Sequence, residues 1–118
     1  MIGARIIVCG GRYYNGRATL NLVLDGIGPS EIAEGGATGA DTMAAAWAWR
    51  NGRPRRTYKA NWELYGRSAG PRRNAEMLAD FKPDAVVAFP GGKGTQNMID
   101  QARRRGVPVI EVGDSDYD

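Results

Sequence analysis

Three short segments of the chain combine glycine with residues that can bind an anion. They read CGGR (9–12), EGGATGAD (34–41) and FPGGKGT (89–95). Glycine has no Cβ atom, so its backbone N–H group can approach a ligand closely. One such segment is weak evidence, because tight turns need glycine anyway, whereas three together indicate an anion-binding edge. None of them contains the GK[ST] sequence of a Walker A loop, which argues against a nucleoside triphosphatase.

A fourth segment, GPRRN (70–74), adds cations. Pro71 favours the first position of a helix over 71–81, which places Arg72 and Arg73 in the first helical turn. Cations are disfavoured there by up to about 1 kcal/mol each, because the helix N-terminus carries partial positive charge. A bound anion would reverse that effect. The alternative is two exposed arginines that contact water or Glu76.

These four segments supply the candidate ligand-binding residues, and no catalytic residue is assigned. Asp41 among them is expected to interact with amides in the first turn of its own helix. The candidates are Gly10, Gly11, Arg12, Gly35, Gly36, Thr38, Gly39, Asp41, Arg73, Asn74, Pro90, Gly91, Gly92, Lys93, Gly94 and Thr95.

The composition excludes several kinds of site. The chain has no histidine and one cysteine, Cys9, which excludes Ser-His-Asp and Cys-His catalysis and a thiolate or imidazole zinc site. No metal and no cofactor are predicted. Cys9 is expected to be a small core residue in a reducing compartment. Neither a signal peptide nor an apolar membrane segment is predicted, so we expect a cytoplasmic protein without membrane contact.

Positive charge is concentrated in one region. The net charge is +3, but residues 50–73 contain seven arginines and Lys59 against a single acid, Glu63. A solvated basic face would explain this run. The functional interpretation is an anionic partner, either a nucleotide or a nucleic acid.

The elements that must position these residues alternate between strand and helix. Apolar runs and helical spacing predict strands at 5–9, 30–34, 55–60, 84–89 and 107–112, and helices at 15–25, 38–51, 71–81 and 95–105. Asn15 is the predicted cap of the first helix. The polar strand at 55–60 is expected at an edge of the sheet.

Helical connections of this length produce a parallel sheet covered on both faces. We therefore predict one α/β domain over residues 1–118, a Rossmann-like three-layer fold with a five-stranded parallel sheet in the order 3-2-1-4-5. Residues 113–118 form an acidic tail. The glycine segments follow the first, second and fourth strands, so they meet at the carboxyl edge, near the switch point.

Aromatic residues add two expectations. Trp47 and Trp49 lie two apart on a helix and cannot share one face. One is predicted in the core, and the other at the interface of a homodimer or higher homo-oligomer. Four further aromatic residues, expected in loops beside basic residues, are candidates for base stacking or for partial core burial: Tyr13, Tyr14, Trp62 and Tyr65.

The motifs CGGR, EGGATGAD, AGPRRN and AFPGGKGT, in this order, resemble the YspA-type branch of the SLOG superfamily, which is named for the Smf/DprA and LOG proteins. The resemblance extends from about Arg5 to Val112. It implies a Rossmann-like fold that binds nucleotides or nucleotide-derived ligands, often as a sensor in nucleotide-signalling or phage-conflict systems.

Two relatives within the superfamily imply alternatives. LOG enzymes are phosphoribohydrolases with the motif Pro-Gly-Gly-x-Gly-Thr-x-x-Glu, in which the glutamate is catalytic. Residues 90–95 match that motif, but Met98 stands at the glutamate position, and Arg73 corresponds most nearly to their catalytic arginine. The resemblance therefore implies a phosphate site and argues against catalysis, unless Glu34 or Asp41 replaces the missing acid.

DprA proteins bind single-stranded DNA. Their Gly-Ser-Arg, Gly-x-Ala-Arg-Gly-x-Asp and Arg-Asn-Arg segments are similar to residues 11–12, 36–41 and 72–74. Thr38 stands where the arginine of the second segment would be. Together with the basic region, this resemblance makes single-stranded nucleic acid the alternative partner.

Overall fold

The computed structural model describes residues 3–113, and its centre is a parallel five-stranded sheet. All but the first residue of the predicted acidic tail lie outside the described residues. The strands are β1 (Arg5–Cys9), β2 (Glu31–Glu34), β3 (Arg55–Thr57), β4 (Ala85–Ala88) and β5 (Val109–Glu111). They lie in the order β3-β2-β1-β4-β5 and every neighbouring pair is parallel, which confirms the predicted fold and strand order.

Helices cover both faces of the sheet. Ile6 and Val8 of β1 pack in one apolar cluster with two helices, α1 (Arg17–Ile27) and α2 (Ala40–Arg50). Ile7 packs in a second cluster with α4 (Ala69–Phe81) and α5 (Lys93–Arg104). Successive strand residues point to opposite faces, so an apolar β1 supplies both clusters. No helix within residues 3–113 has the length and apolar character to cross a bilayer. The helices are α1 (Arg17–Ile27), α2 (Ala40–Arg50), α3 (Trp62–Tyr65), α4 (Ala69–Phe81) and α5 (Lys93–Arg104), with a 3-10 turn at Gly66–Ser68.

The start of α4 differs from the prediction. The helix begins at Ala69, so Pro71 is its third residue rather than its first, and Arg72 and Arg73 lie beyond the first three positions. Proline is accommodated at Pro71 because none of the first four N–H groups of a helix has a partner inside the helix. The 3-10 turn that leads into Ala69 extends the helix toward the N-terminus.

The start of α1 also differs. Its N-cap is Gly16, which makes no side-chain capping bond, so the predicted Asn15 cap is wrong. Trp62 and Tyr65 were expected in a loop, but they form the short helix α3. The Asn61 side chain accepts a hydrogen bond from the Leu64 amide and caps this helix. Asparagine is a favoured N-cap residue, so this cap is a sequence signal for the start of the helix.

The polar strand β3 forms an edge of the sheet, as predicted, and all three of its residues are exposed. Its arginines are paired with acids of the same domain. Arg55 lies 3.5 Å from a Glu34 oxygen, and Arg56 lies 3.0 Å from Glu31. Part of the basic region therefore has acidic partners within the fold.

The two tryptophans of α2 have separate environments. Trp47 is buried and donates a 2.9 Å hydrogen bond to Asp25, whereas Trp49 is 84% exposed. The prediction that one of them belongs to the core is confirmed. Leu22 of α1 is also exposed, and association of two copies through Trp49 stays a prediction.

Candidate functional site

A cavity of about 670 Å³ opens at the carboxyl ends of β1 and β4. These neighbouring strands occupy the position where the strand order reverses, which is where open α/β sheets bind ligands. The volume lies within the range of roughly 300–1,000 Å³ that is typical of small-molecule sites.

Most of the predicted ligand-binding residues line this cavity. Three do not: Gly36, Thr38 and Gly39. The Thr38 hydroxyl instead donates a 3.0 Å hydrogen bond to the Arg12 carbonyl, which ties the loop after β2 to the loop after β1. The predicted residues that line the cavity are Gly10, Gly11, Arg12, Gly35, Asp41, Arg73, Asn74, Pro90, Gly91, Gly92, Lys93, Gly94 and Thr95.

Some of the glycines are required by contacts between loops and not by space for a ligand. The Gly11 amide donates a 2.8 Å hydrogen bond to the Pro90 carbonyl, and a Cβ atom at Gly91 would lie 2.6 Å from the Gly11 nitrogen. At Gly92 and Gly94, in contrast, no heavy atom lies within 4 Å of an added Cβ atom. Free space therefore lies over the last two glycines of FPGGKGT.

That free space adjoins the start of α5. The helix begins at Lys93, two residues earlier than predicted, so the glycine segment runs directly into it. The first N–H groups of a helix lack intrahelical partners and carry partial positive charge, which attracts anions. At the start of α2, which follows the segment EGGATGAD, the Ala40 amide already donates to the Gly11 carbonyl and Asp41 lies in the first turn. The start of α5 is therefore the more available of the two.

Asp41 brings a buried carboxyl group to the cavity. It is 6% exposed, and one of its oxygens accepts hydrogen bonds from the Gly35 and Ala37 amides, at 3.2 and 3.1 Å. These amides precede α2, so the expected contact with first-turn amides is wrong. Burial, with a contribution from the charge of Glu34, raises the pKa of Asp41 to about 6. The group can therefore exchange a proton near neutral pH.

Arg73 connects α4 to the β2 edge of the sheet. Its Nη1 donates to the Gly35 carbonyl at 2.9 Å and to the Tyr58 carbonyl at 3.2 Å, and its Nε donates to Asn74 at 2.9 Å. Arg73 is therefore not the exposed arginine of the alternative interpretation, and its role in anion binding stays a prediction. Burial lowers the pKa of Arg73, but a guanidinium stays protonated in proteins. Among the described residues its Nη2 has no hydrogen-bond partner, so one arm remains available to a ligand.

The other acid considered as a substitute, Glu34, does not line the cavity. Its carboxylate accepts hydrogen bonds from the Gly36 amide at 2.7 Å and from the Thr57 hydroxyl at 2.6 Å. Of Glu34 and Asp41, Asp41 is therefore the residue whose carboxyl group reaches the cavity. Cys9 also lines it, and burial raises the pKa of this thiol to about 12, which leaves it neutral and a poor nucleophile.

Several lining residues were absent from the predicted set. Met77 of α4 and Met98 of α5 are buried against the sheet and line the cavity, as does Gly70 at the start of α4. The two methionines lie at the spacing of apolar residues on one face of a helix. That spacing predicts burial in the core, but it does not predict a cavity. Trp62, a candidate for base stacking or for partial core burial, also lines it.

The fold and this site define a class: a Rossmann-like domain with a ligand-sized cavity at the switch point and a glycine-rich segment leading into a helix. Residues 4–65 match the sequence profile of the YspA, cpYpsA-related SLOG family. The gene 61 protein of Mycobacterium phage D29 is 35% identical over 123 residues, covering 93% of this chain and 97% of that protein. The chain belongs to this SLOG family.

A solved structure supports the fold independently. The X-ray structure of DNA processing protein A (DprA) from Streptococcus pneumoniae is similar, with a TM-score of 0.76 at 17% sequence identity. The match covers 98% of this chain but 52% of the DprA chain, so this chain spans about half of that protein. At this identity the likeness shows the fold alone.

Proposed function

We propose that the domain binds a phosphate-bearing nucleotide or nucleotide-derived ligand in the cavity at the carboxyl ends of β1 and β4. The observation that carries this proposal is the combination of an open helix start and accessible aromatic rings in one cavity. The start of α5 has free space over Gly92 and Gly94, and the exposed rings of Tyr13 and Trp62 line the same cavity. A nucleotide presents the matching chemistry, because it has an anionic phosphate and an aromatic base.

Charge in the cavity supports an anionic ligand. Arg12, Arg73 and Lys93 line it, and the lining acid is Asp41. The raised pKa of Asp41, about 6, means that this carboxyl group is protonated more readily than an ordinary one. Membership of the SLOG family agrees with a nucleotide-derived ligand. Mass spectrometry of small molecules retained by the purified protein would identify it.

The test of this proposal is the replacement of Arg73. A phosphate at the start of α5 would accept a charge-assisted hydrogen bond from the free Nη2 of Arg73. Arg73→Ala is therefore expected to weaken AMP binding by about 1.5–3 kcal/mol, or roughly 10- to 150-fold, in isothermal titration calorimetry. Arg55→Ala is the matched control, because Arg55 lies on the exposed edge strand and does not line the cavity.

Arg73 also bonds two carbonyl groups, so its removal is expected to lower stability. Binding is therefore compared at a temperature where thermal melts show both variants folded. Equal AMP affinity of Arg73→Ala and the wild type would contradict the nucleotide proposal.

The second candidate is single-stranded nucleic acid, favoured by the structural likeness to a DNA processing protein and by the basic region. It predicts that Arg73→Ala and Arg55→Ala weaken oligonucleotide binding by similar amounts. It also predicts that the logarithm of the binding constant falls with the logarithm of the salt concentration, with a slope of about −0.7 per neutralised phosphate. The ion pairs of Arg55 and Arg56 with acids of the same domain weigh against this candidate. A steep salt dependence with uniform losses would favour it over the nucleotide site.

Hydrolysis of the ligand is not expected. Met98, at the position of the LOG glutamate, is 1% exposed and lines the cavity, and a thioether cannot transfer a proton. We expect no release of adenine from AMP, measured by chromatography, at a rate approaching about 1 per second, a low value for an enzyme. Turnover at that rate would contradict this prediction, and Asp41→Asn would then test the lining carboxyl group as the acid.

A further inference from the structure

Trp62 is the larger of the two exposed aromatic side chains that line the cavity, the other being Tyr13. It is 55% exposed, and α3, to which it belongs, contributes no buried residue. Core packing therefore does not account for a tryptophan at this position. A half-exposed indole at the wall of a cavity is suited to contact a flat ligand ring.

The indole has a defined place on α4. A Cβ atom at Gly70 would lie 3.3 Å from the Cη2 atom of Trp62, so the ring rests against the helix where there is no side chain. Both residues line the cavity. The absence of a side chain at Gly70 thus allows the ring to lie close to the helix backbone.

The segment that carries Trp62 is held in place by local bonds. The Ser68 hydroxyl donates to the Tyr65 carbonyl at 2.9 Å, and Arg72 donates to the Ser68 hydroxyl at 3.1 Å. The Arg72 guanidinium also lies 4.3 Å from the centre of the Tyr65 ring. Arg72 therefore joins α4 to the residues that follow Trp62. A ring positioned in advance loses less conformational freedom when a ligand binds.

Trp62 and the start of α5 both contact α4. Gly70 and Asn74 are four residues apart on α4, which is about 6 Å along the helix axis. The Asn74 side chain donates to the Gly94 carbonyl at 3.3 Å, in the first turn of α5. Trp62 and the start of α5 thus contact α4 at two points that are about one helical turn apart.

From this arrangement we infer that Trp62 is the stacking platform for the base of the ligand, while the phosphate lies at the start of α5. The inference rests on the proposed function and extends it, because it requires a ligand that retains its aromatic base. Sugar phosphates without a base are then weak ligands.

The experiment compares AMP with ribose 5-phosphate, which differ by the base. In the wild type, AMP is expected to bind about 5- to 150-fold more tightly than ribose 5-phosphate, the range for stacking one base on an aromatic side chain. In Trp62→Ala this ratio is expected to fall close to one, with the affinity for ribose 5-phosphate unchanged. Trp62→Phe, which keeps a ring, is expected to retain a preference for AMP.

Tryptophan fluorescence gives a second measurement. Stacking of adenine on Trp62 is expected to quench emission in the wild type and in Trp49→Phe, in which an exposed tryptophan outside the cavity is removed. In Trp62→Phe the quenching is expected to be lost. Circular dichroism verifies that each variant is folded.

The outcomes separate the two proposals. An unchanged AMP preference in folded Trp62→Ala would overturn the stacking role and leave the nucleotide site intact. Equal affinity of the wild type for AMP and ribose 5-phosphate would also overturn the stacking role and leave the nucleotide site intact. Failure of both compounds to bind at millimolar concentration would overturn the proposed function and, with it, this inference.

Discussion

Replacement of Gly39 with alanine is expected to lower the free energy of unfolding by about 3–5 kcal/mol. Gly39 has a φ of 74°, which favours glycine, and a Cβ atom there would overlap the Gly11 carbonyl oxygen and lie 2.6 Å from the Arg12 carbonyl carbon. All of these contacts are with backbone atoms, so the two loops must separate. The measurement is urea unfolding, supported by a fall in melting temperature of roughly 15 °C or more.

Gly28→Ala is the matched control for Gly39→Ala. Gly28 also has a positive φ, 62°, but no heavy atom lies within 4 Å of an added Cβ atom. Its replacement is expected to cost only the conformational penalty, about 1–2 kcal/mol. Equal stability of the two variants would show that the loops after β1 and β2 do not depend on close contact. A Gly39→Ala chain that fails to fold while Gly28→Ala folds agrees with the prediction.

Replacement of Asp41 with asparagine is expected to raise the free energy of unfolding at pH 7. The pKa of Asp41 is raised from 3.8 to about 6 in the folded protein. Between these values the folded chain retains a proton that the unfolded chain releases, so the contribution of Asp41 to stability falls as the pH rises. Two pH units correspond to roughly 3 kcal/mol, which is the expected upper limit of the gain at pH 7.

The measurement is the difference in unfolding free energy between Asp41→Asn and the wild type across pH 3.8 to 7. This difference is expected to be small at the acid end and to grow until the pH exceeds about 6. Asp100→Asn removes the same charge from an exposed position on α5 and is the matched control for the loss of one negative charge. A difference in unfolding free energy that is constant over the whole pH range would contradict the raised pKa of the buried Asp41 carboxyl group.

Gly39 and Asp41 lie at the same edge of the sheet. Gly39 holds the loops after β1 and β2 in contact, whereas Asp41 places a carboxyl group in the cavity that lies beside them.

The sequence by itself determined the sheet and the edge at which the glycine segments meet. Apolar runs interrupted by glycine predicted β1 with its observed bounds, Arg5–Cys9. The strand order followed because right-handed crossovers leave few ways to arrange alternating strands and helices. Since all five strands are parallel, their carboxyl ends meet at one edge, and the glycine segments had to gather there. Such patterns are local, so they can be recognised in the chain itself.

The partners of individual side chains were decided by the tertiary structure alone. Arg73 bonds the carbonyls of Gly35 and Tyr58, which lie 38 and 15 residues away. Glu34 and Asp41 are both acids near the end of β2, yet Asp41 alone of the two lines the cavity. The physical reason is that burial and hydrogen-bond partners depend on contacts between distant segments, and no local pattern of residue types specifies those contacts.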